Sequence, residues 1–176
     1  MDTIVLILHG LAAAVLVGGM VLMFFAVTPA TWIMEDEALR RIITRVVARR
    51  FAVLSMISLG VLLVTGLLQF ASDGILPPHV RDNMMSYRFG LVFTAKMITT
   101  IVLVVMIVGH GMWLAPRIAR ATETVIESPG DEDARIALEN IRRQSFAFSF
   151  VMLLAAAAVF AMGVTLGSHE YAHVLN

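Results

Sequence analysis

The sequence has no cysteine. That excludes disulfides, thiolate-held metals and iron–sulfur clusters, and it removes the usual clue to redox compartment. Charge is scarce too: Asp, Glu, Lys and Arg make up 15% of 176 residues, and the formal net charge is zero. The balance says nothing about partners, and nucleic acid is not expected among them. Neither terminus carries Lys or Arg, so the opening Met1-Asp2 lacks the basic n-region of a signal peptide. The apolar run behind it is also too long for an h-region, and the segment is expected to be retained. Strand alternation, low-complexity tracts and a soluble-domain stretch are all missing from the pattern.

What is present is apolar. Hydrophobic residues make up 59% of the chain, and the mean hydropathy is +0.87. Four stretches, about 3–28, 51–71, 89–114 and 146–166, approach or exceed the roughly 20 residues that cross a bilayer as helix. The expectation is an all-α protein, a single transmembrane domain over 1–176 forming a four-helix up-down bundle in the lipid bilayer.

The charges set its orientation. Arg40, Arg41, Arg45, Arg49 and Arg50 precede the second stretch, and Arg117, Arg120, Arg135, Arg142 and Arg143 lie between the third and fourth. Only Arg81 and Arg88 fall between the second and third. By the positive-inside rule the two arginine-rich connections are cytoplasmic, and both termini lie outside, on the periplasmic side of a bacterial inner membrane. These connections read as helical extensions. EDEALRRIITRVVARRF has acids in front and arginines behind, matching a helix dipole, and ATETVIESPGDEDARIALENIRRQSF breaks at Ser128-Pro129-Gly130 before an acidic restart.

Within the first stretch His9 is the one strongly polar side chain in LILHGLAAAVLVGGMVLMFF. An imidazole in hydrocarbon is costly unless it is bound or hydrogen-bonded, so it marks a functional site or a core histidine bonded to a carbonyl or to Gln69. It lies six residues into its span, and Lys96 lies seven residues into the third, so the two share a depth. His110 is roughly 21 Å deeper at 1.5 Å per residue, too far to share one haem with His9. Near the outer face gather His9, Gln69, Lys96, Thr99, Thr100 and Thr165, with His79, His169 and His173 just beyond. Lys96 either joins this site or snorkels outward.

The tail segment His169-Glu170-Tyr171-Ala172-His173 matches H-E-x-x-H, whose two imidazoles share a helical face and suit zinc or copper. Its place in the last eight residues leaves no room for a protease cleft, which leaves a metal-docking lid or a solvated helix end. Twelve methionines suit Cu(I), yet most sit inside the spans as space-fillers, and Met84-Met85 is the pair singled out. Gly18-Gly19, Gly60 and Gly66 allow close helix packing or room for a flat macrocycle.

LHGLAAAVLVGGM, ARRFAVLSMISLGVLLVTGLL and LVFTAKMITTIVLVVMIVGHGMWLAPRIAR, in this order, resemble the copper-resistance-protein-D-like (CopD-like) membrane family across all four spans. The features that carry the resemblance are Leu8-His9 before Gly18-Gly19, Arg49-Arg50-Phe51, Gly66, Lys96 and Pro116-Arg117. They are also similar to those of the related membrane protoporphyrinogen oxidases. That resemblance implies a functional pair at His9 and Lys96 and an associated b-type haem. The chain departs from the oxidases in lacking their aromatic-rich first span and in having Val27-Thr28-Pro29-Ala30 where they have basic and tyrosine residues, which leaves the enzymatic assignment open while the His9–Lys96 pair is kept.

Two functions from different classes follow, and a third lacks a cofactor. In the first, haem b near the outer face is held by His9, with Lys96 or His169 as second ligand or propionate partner and Gln69 nearby, for electron transfer or haem handling. In the second, His79, His169, His173, His9 and His110 are metal ligands on a path for copper translocation. The third is a structural subunit of a larger membrane complex. Membrane redox subunits or a second copy of the chain are the protein partners considered.

Overall fold

The computed structural model describes residues 3–71 and 84–167. Among them there is no strand, and four helices are long and apolar enough to cross a membrane: Thr3–Trp32, Glu37–Gln69, Arg88–Glu127 and Glu132–Leu166. The chain is that of an integral membrane protein. The second and fourth helices begin about fourteen residues before the apolar stretches they contain, which bears out the reading of the charged connections as helical extensions.

The first span is α1 (Thr3–Leu22), a π-turn over Met23–Val27, then α2 (Thr28–Trp32); the second is α3 (Glu37–Ala71). A 3-10 turn at Met84–Ser86 leads into α4 (Arg88–Gly109), a second π-turn over His110–Leu114, and α5 (Ala115–Glu127). The last span is α6 (Glu132–Gly167). Both π-turns sit just ahead of a proline, Pro29 or Pro116. A proline offers no N–H to the carbonyl four residues back and crowds it, so the helix widens by one residue there. The Thr28 N–H then reaches the Met23 carbonyl, and the Ala115 N–H reaches that of His110.

Where α3 and α6 start, an aspartate does what the acidic restarts predict. Asp36 Oδ1 accepts from the N–H groups of Ala38 (2.8 Å) and Leu39 (3.1 Å), and Asp131 Oδ1 accepts from that of Ala134 (3.0 Å). The same end of the bundle is clasped by ion pairs. Arg142 of α6 forms a forked pair with Glu37 (3.0 and 2.7 Å), Arg40 adds a third bond (2.8 Å), and Arg41 makes a two-bond pair with Glu123 of α5. The Arg142 hydrogen bond, aided by the two positive charges, holds the Glu37 carboxyl below its ordinary value. Glu37 lies ahead of the apolar part of α3, outside the span.

Packing runs α3 on α1, α1 on α6, and α6 on α4, while α3 meets the second half through α5. Met20, Leu103, Met152, Leu153 and Ala156 form the core. Apolar side chains pointing the other way, such as Ile4, Leu63, Val105 and Val164, are exposed as lipid-facing residues are. Lipid is as apolar as the helices, so close contact rather than burial from water holds such helices together. Gly19 shows it: a Cβ there would stand 2.8 Å from the Phe51 ring of α3.

The two pairs of spans repeat one plan. The π-turns lie 87 residues apart, as do Pro29 and Pro116, the buried Leu16 and Leu103, and His9 and Lys96. On the second helix of each pair, Phe51 and Phe148, and Gly66 and Gly163, lie 97 residues apart. Ten extra residues around Pro129 account for the difference.

Candidate functional site

His9 enters from the second turn of α1 and faces α3. Its Cε1 lies 3.7 Å from where a Cβ on Gly66 would stand, so the absence of a side chain at Gly66 makes the place in which the ring lies. Its Nδ1 is 2.8 Å from Oγ1 of Thr65, a residue buried to 5% exposure. The Thr65 hydroxyl in turn lies 2.5 Å from the Val61 carbonyl, which can only accept. The single hydroxyl proton is therefore committed to Val61, and Thr65 Oγ1 must accept from His9. That assigns the ring proton to Nδ1 and leaves the lone pair of the neutral imidazole on Nε2. The expected partners for a core histidine were a carbonyl or Gln69; the partner is Thr65. Gln69 lies one turn further along the same face of α3.

Lys96 is the only lysine in the chain. It is half-buried on α4, and its Nζ lies 3.5 Å from where a Cβ on Gly163 would stand. The ammonium is within electrostatic range of the His9 ring. Each of the two residues lies beside a glycine of a neighbouring helix, which makes room for it. Thr99 and Thr100 turn their hydroxyls back onto the carbonyls of Ala95 (2.8 Å) and Lys96 (2.7 Å), and so are occupied within their own helix.

His110 stands apart, as its spacing indicates. It opens the second π-turn, with Nε2 3.1 Å from Ser145 Oγ and its ring stacked on Phe148 at 6.0 Å. His79, His169 and His173 lie outside the described residues, so the outer members of the expected metal path and the H-E-Y-A-H lid do too. Of the Met84-Met85 pair, Met85 is exposed and accepts a weak hydrogen bond from Thr94 through sulfur (3.8 Å). Among the described residues no three His, Asp or Glu side chains are grouped as a metal would require.

Three contributors were not anticipated: Thr65, Gly163 and Ser145. The signal for the first was a threonine directly before Gly66, on the face of α3 that carries Ser55 and Ser58, both buried. Compared with protein families, curated proteins and solved structures, the chain has no significant match in any of the three.

Proposed function

We propose that the His9 end of the bundle binds a b-type haem, and that the protein serves electron transfer or haem handling in a bacterial inner membrane. The arginine-rich end is then cytoplasmic and the His9 end faces outward. This reading agrees with the resemblance to CopD-like proteins. The observation that carries it is the relay from His9 Nδ1–H through Thr65 to the Val61 carbonyl. A histidine that ligates a metal donates its other ring N–H to a fixed acceptor, which orients the ring and raises the basicity of the ligating nitrogen.

The residues present fit the group. Nε2 of His9 would hold the haem iron, Lys96 would offer a cation to an anionic propionate, and Gly66 and Gly163 leave room beside these two side chains. Haem supplies one-electron redox chemistry when bound. The chain's own part is to hold the imidazole in one tautomer, to place a positive charge beside it, and to surround both with lipid-facing helices that exclude water. A protonated Lys96 at the same depth would repel copper ions, which argues against the translocation path.

Optical spectra of the detergent-purified protein, oxidised and dithionite-reduced, test this together with metal analysis. A Soret band with a reduced alpha band, both lost in His9→Ala, is the expected result. Stoichiometric copper without a Soret band would overturn it in favour of copper handling. Neither signal, even after haem is supplied during expression, would leave the structural-subunit reading.

A further inference from the structure

The bundle has a second feature, at the opposite end from His9, that the proposed haem site does not use. Val46, Arg49, Arg50, Val53, Leu54 and Ile57 share one face of α3 and line a shallow open trough of about 600 Å³. All six are exposed, with Val53 at 56% and Ile57 at 59%. The two arginines lie toward one end of the trough, past Val46, and the other end is purely apolar.

The arginines around it are not alike. Arg40 and Arg142 are held by Glu37, Arg41 by Glu123 and Arg143 by Glu139. Arg49 and Arg50, like Arg45 one turn earlier, form no ion pair among the described residues, but only they line the trough. They also sit at a boundary, immediately before Phe51, where α3 passes from its charged lead-in to its apolar span. Guanidinium groups there reach the level of lipid phosphates, and Val53, Leu54 and Ile57 continue one to two turns into the level of the acyl chains.

A second copy of the chain is a poor occupant. A two-fold contact brings the same patch against itself, which would set Arg49 and Arg50 against their own counterparts. A water-soluble protein could not follow the trough down to Ile57. We infer that the trough is a binding site for an anionic phospholipid, with the headgroup phosphate on Arg49 and Arg50 and an acyl chain along Val53, Leu54 and Ile57. Arginine suits the role because its planar fork meets two phosphate oxygens at once.

The full chain, purified in detergent, is mixed with phosphatidylglycerol or phosphatidylcholine of the same acyl composition, and lipid adducts are counted by native mass spectrometry. The expected result is one phosphatidylglycerol retained over phosphatidylcholine by roughly thirtyfold, the effect of two basic side chains near an anionic headgroup. Arg49→Gln with Arg50→Gln is expected to abolish the preference, with helical content unchanged by circular dichroism. Arg49→Lys with Arg50→Lys should fold alike and keep part of it. Arg45→Gln, on the same helix but outside the trough, should leave it intact. Equal retention of the two lipids by the wild type, or equal loss in Arg45→Gln, would overturn the inference. So would a wild-type dimer that the double glutamine variant converts to monomer.

Discussion

In the first pair of spans the residue two turns into the leading helix is His9, set against Gly66; in the second pair its counterpart 87 residues on is Lys96, set against Gly163. The backbone around the two is the same, with a π-turn and a proline at matching distances. What differs is the facing helix. Position 65 is a threonine whose hydroxyl receives the His9 proton, whereas the matching position 97 residues later is Met162, which offers no such acceptor. The same association recurs at the other histidine: His110 meets Ser145, and the residues matching these two in the first pair are Met23 and Ala48. In both places a histidine in the apolar interior is accompanied by a hydroxyl on the helix opposite. The repeated frame supplies positions, and the pair of polar side chains decides which position holds an oriented imidazole.

Exchange of the two residues is the strongest way to break this comparison. His9→Lys alone is expected to abolish the Soret band, since no imidazole is left at that level. Adding Lys96→His restores an imidazole on the other side, but one without a hydroxyl to receive its ring proton. Loss of such a partner costs about 10–100-fold in metal affinity, so the double variant should bind haem weakly. Met162→Thr in that background should recover much of the deficit. Haem titration of each variant, followed at the Soret band, separates the cases, and equal affinity with and without Met162→Thr would show that the hydroxyl is not what distinguishes the halves. Thr65→Val in the otherwise native chain tests the same point from the other side. It should weaken binding by about 10–100-fold, while Thr65→Ser retains it.

The clasp at the arginine-rich end comes next in size. Glu37 draws three charge-assisted hydrogen bonds from Arg40 and Arg142, joining the first pair of spans to the second. Glu37→Gln leaves the two guanidinium groups without their anion, and one bond to a charged group is worth about 1.5–3 kcal/mol. The variant is expected to unfold at lower temperature, read from the fluorescence of Trp32, which lies against Phe146 of α6. The pH dependence has a definite sign. Because the folded carboxyl titrates below its ordinary value of 4.5, the pairing stabilises fully above that pH and is lost as pH falls through the lowered folded value. The wild type should therefore lose stability below pH 4.5 more steeply than Glu37→Gln, and parallel curves would remove Glu37 from the clasp.

The four spans, their charged helical extensions and the break at Ser128-Pro129-Gly130 were legible because length, hydropathy and helix-start residues are local signals. The shared depth of His9 and Lys96 was legible too, since helix rise is fixed. The choice of Thr65 over Gln69 was not: the two lie one turn apart on α3, and only the approach angle of α1 selects between them. The π-turns were half-written in Pro29 and Pro116, which mark a disturbed helix without saying whether it kinks or widens. The repeat was present throughout in the 20-residue spacing from His9 to Pro29 and from Lys96 to Pro116. It hides because the matched residues, a histidine and a lysine, are unlike in chemistry and alike only in place.

The smallest expected effect concerns the second histidine. Ser145→Ala removes the hydroxyl beside His110 Nε2 but leaves the ring stacked on Phe148. A single neutral hydrogen bond contributes about 1 kcal/mol, so the variant should unfold only a few degrees lower. His110 lies fourteen residues from Lys96 along one nearly continuous helix, roughly 21 Å away, and so cannot reach a group held at His9. The Soret band of Ser145→Ala, in position and intensity, should therefore match that of the wild type. A shifted or weakened band would mean that the cofactor touches the His110 level, and the two histidines would then have to be read as one site rather than as separate uses of the same frame.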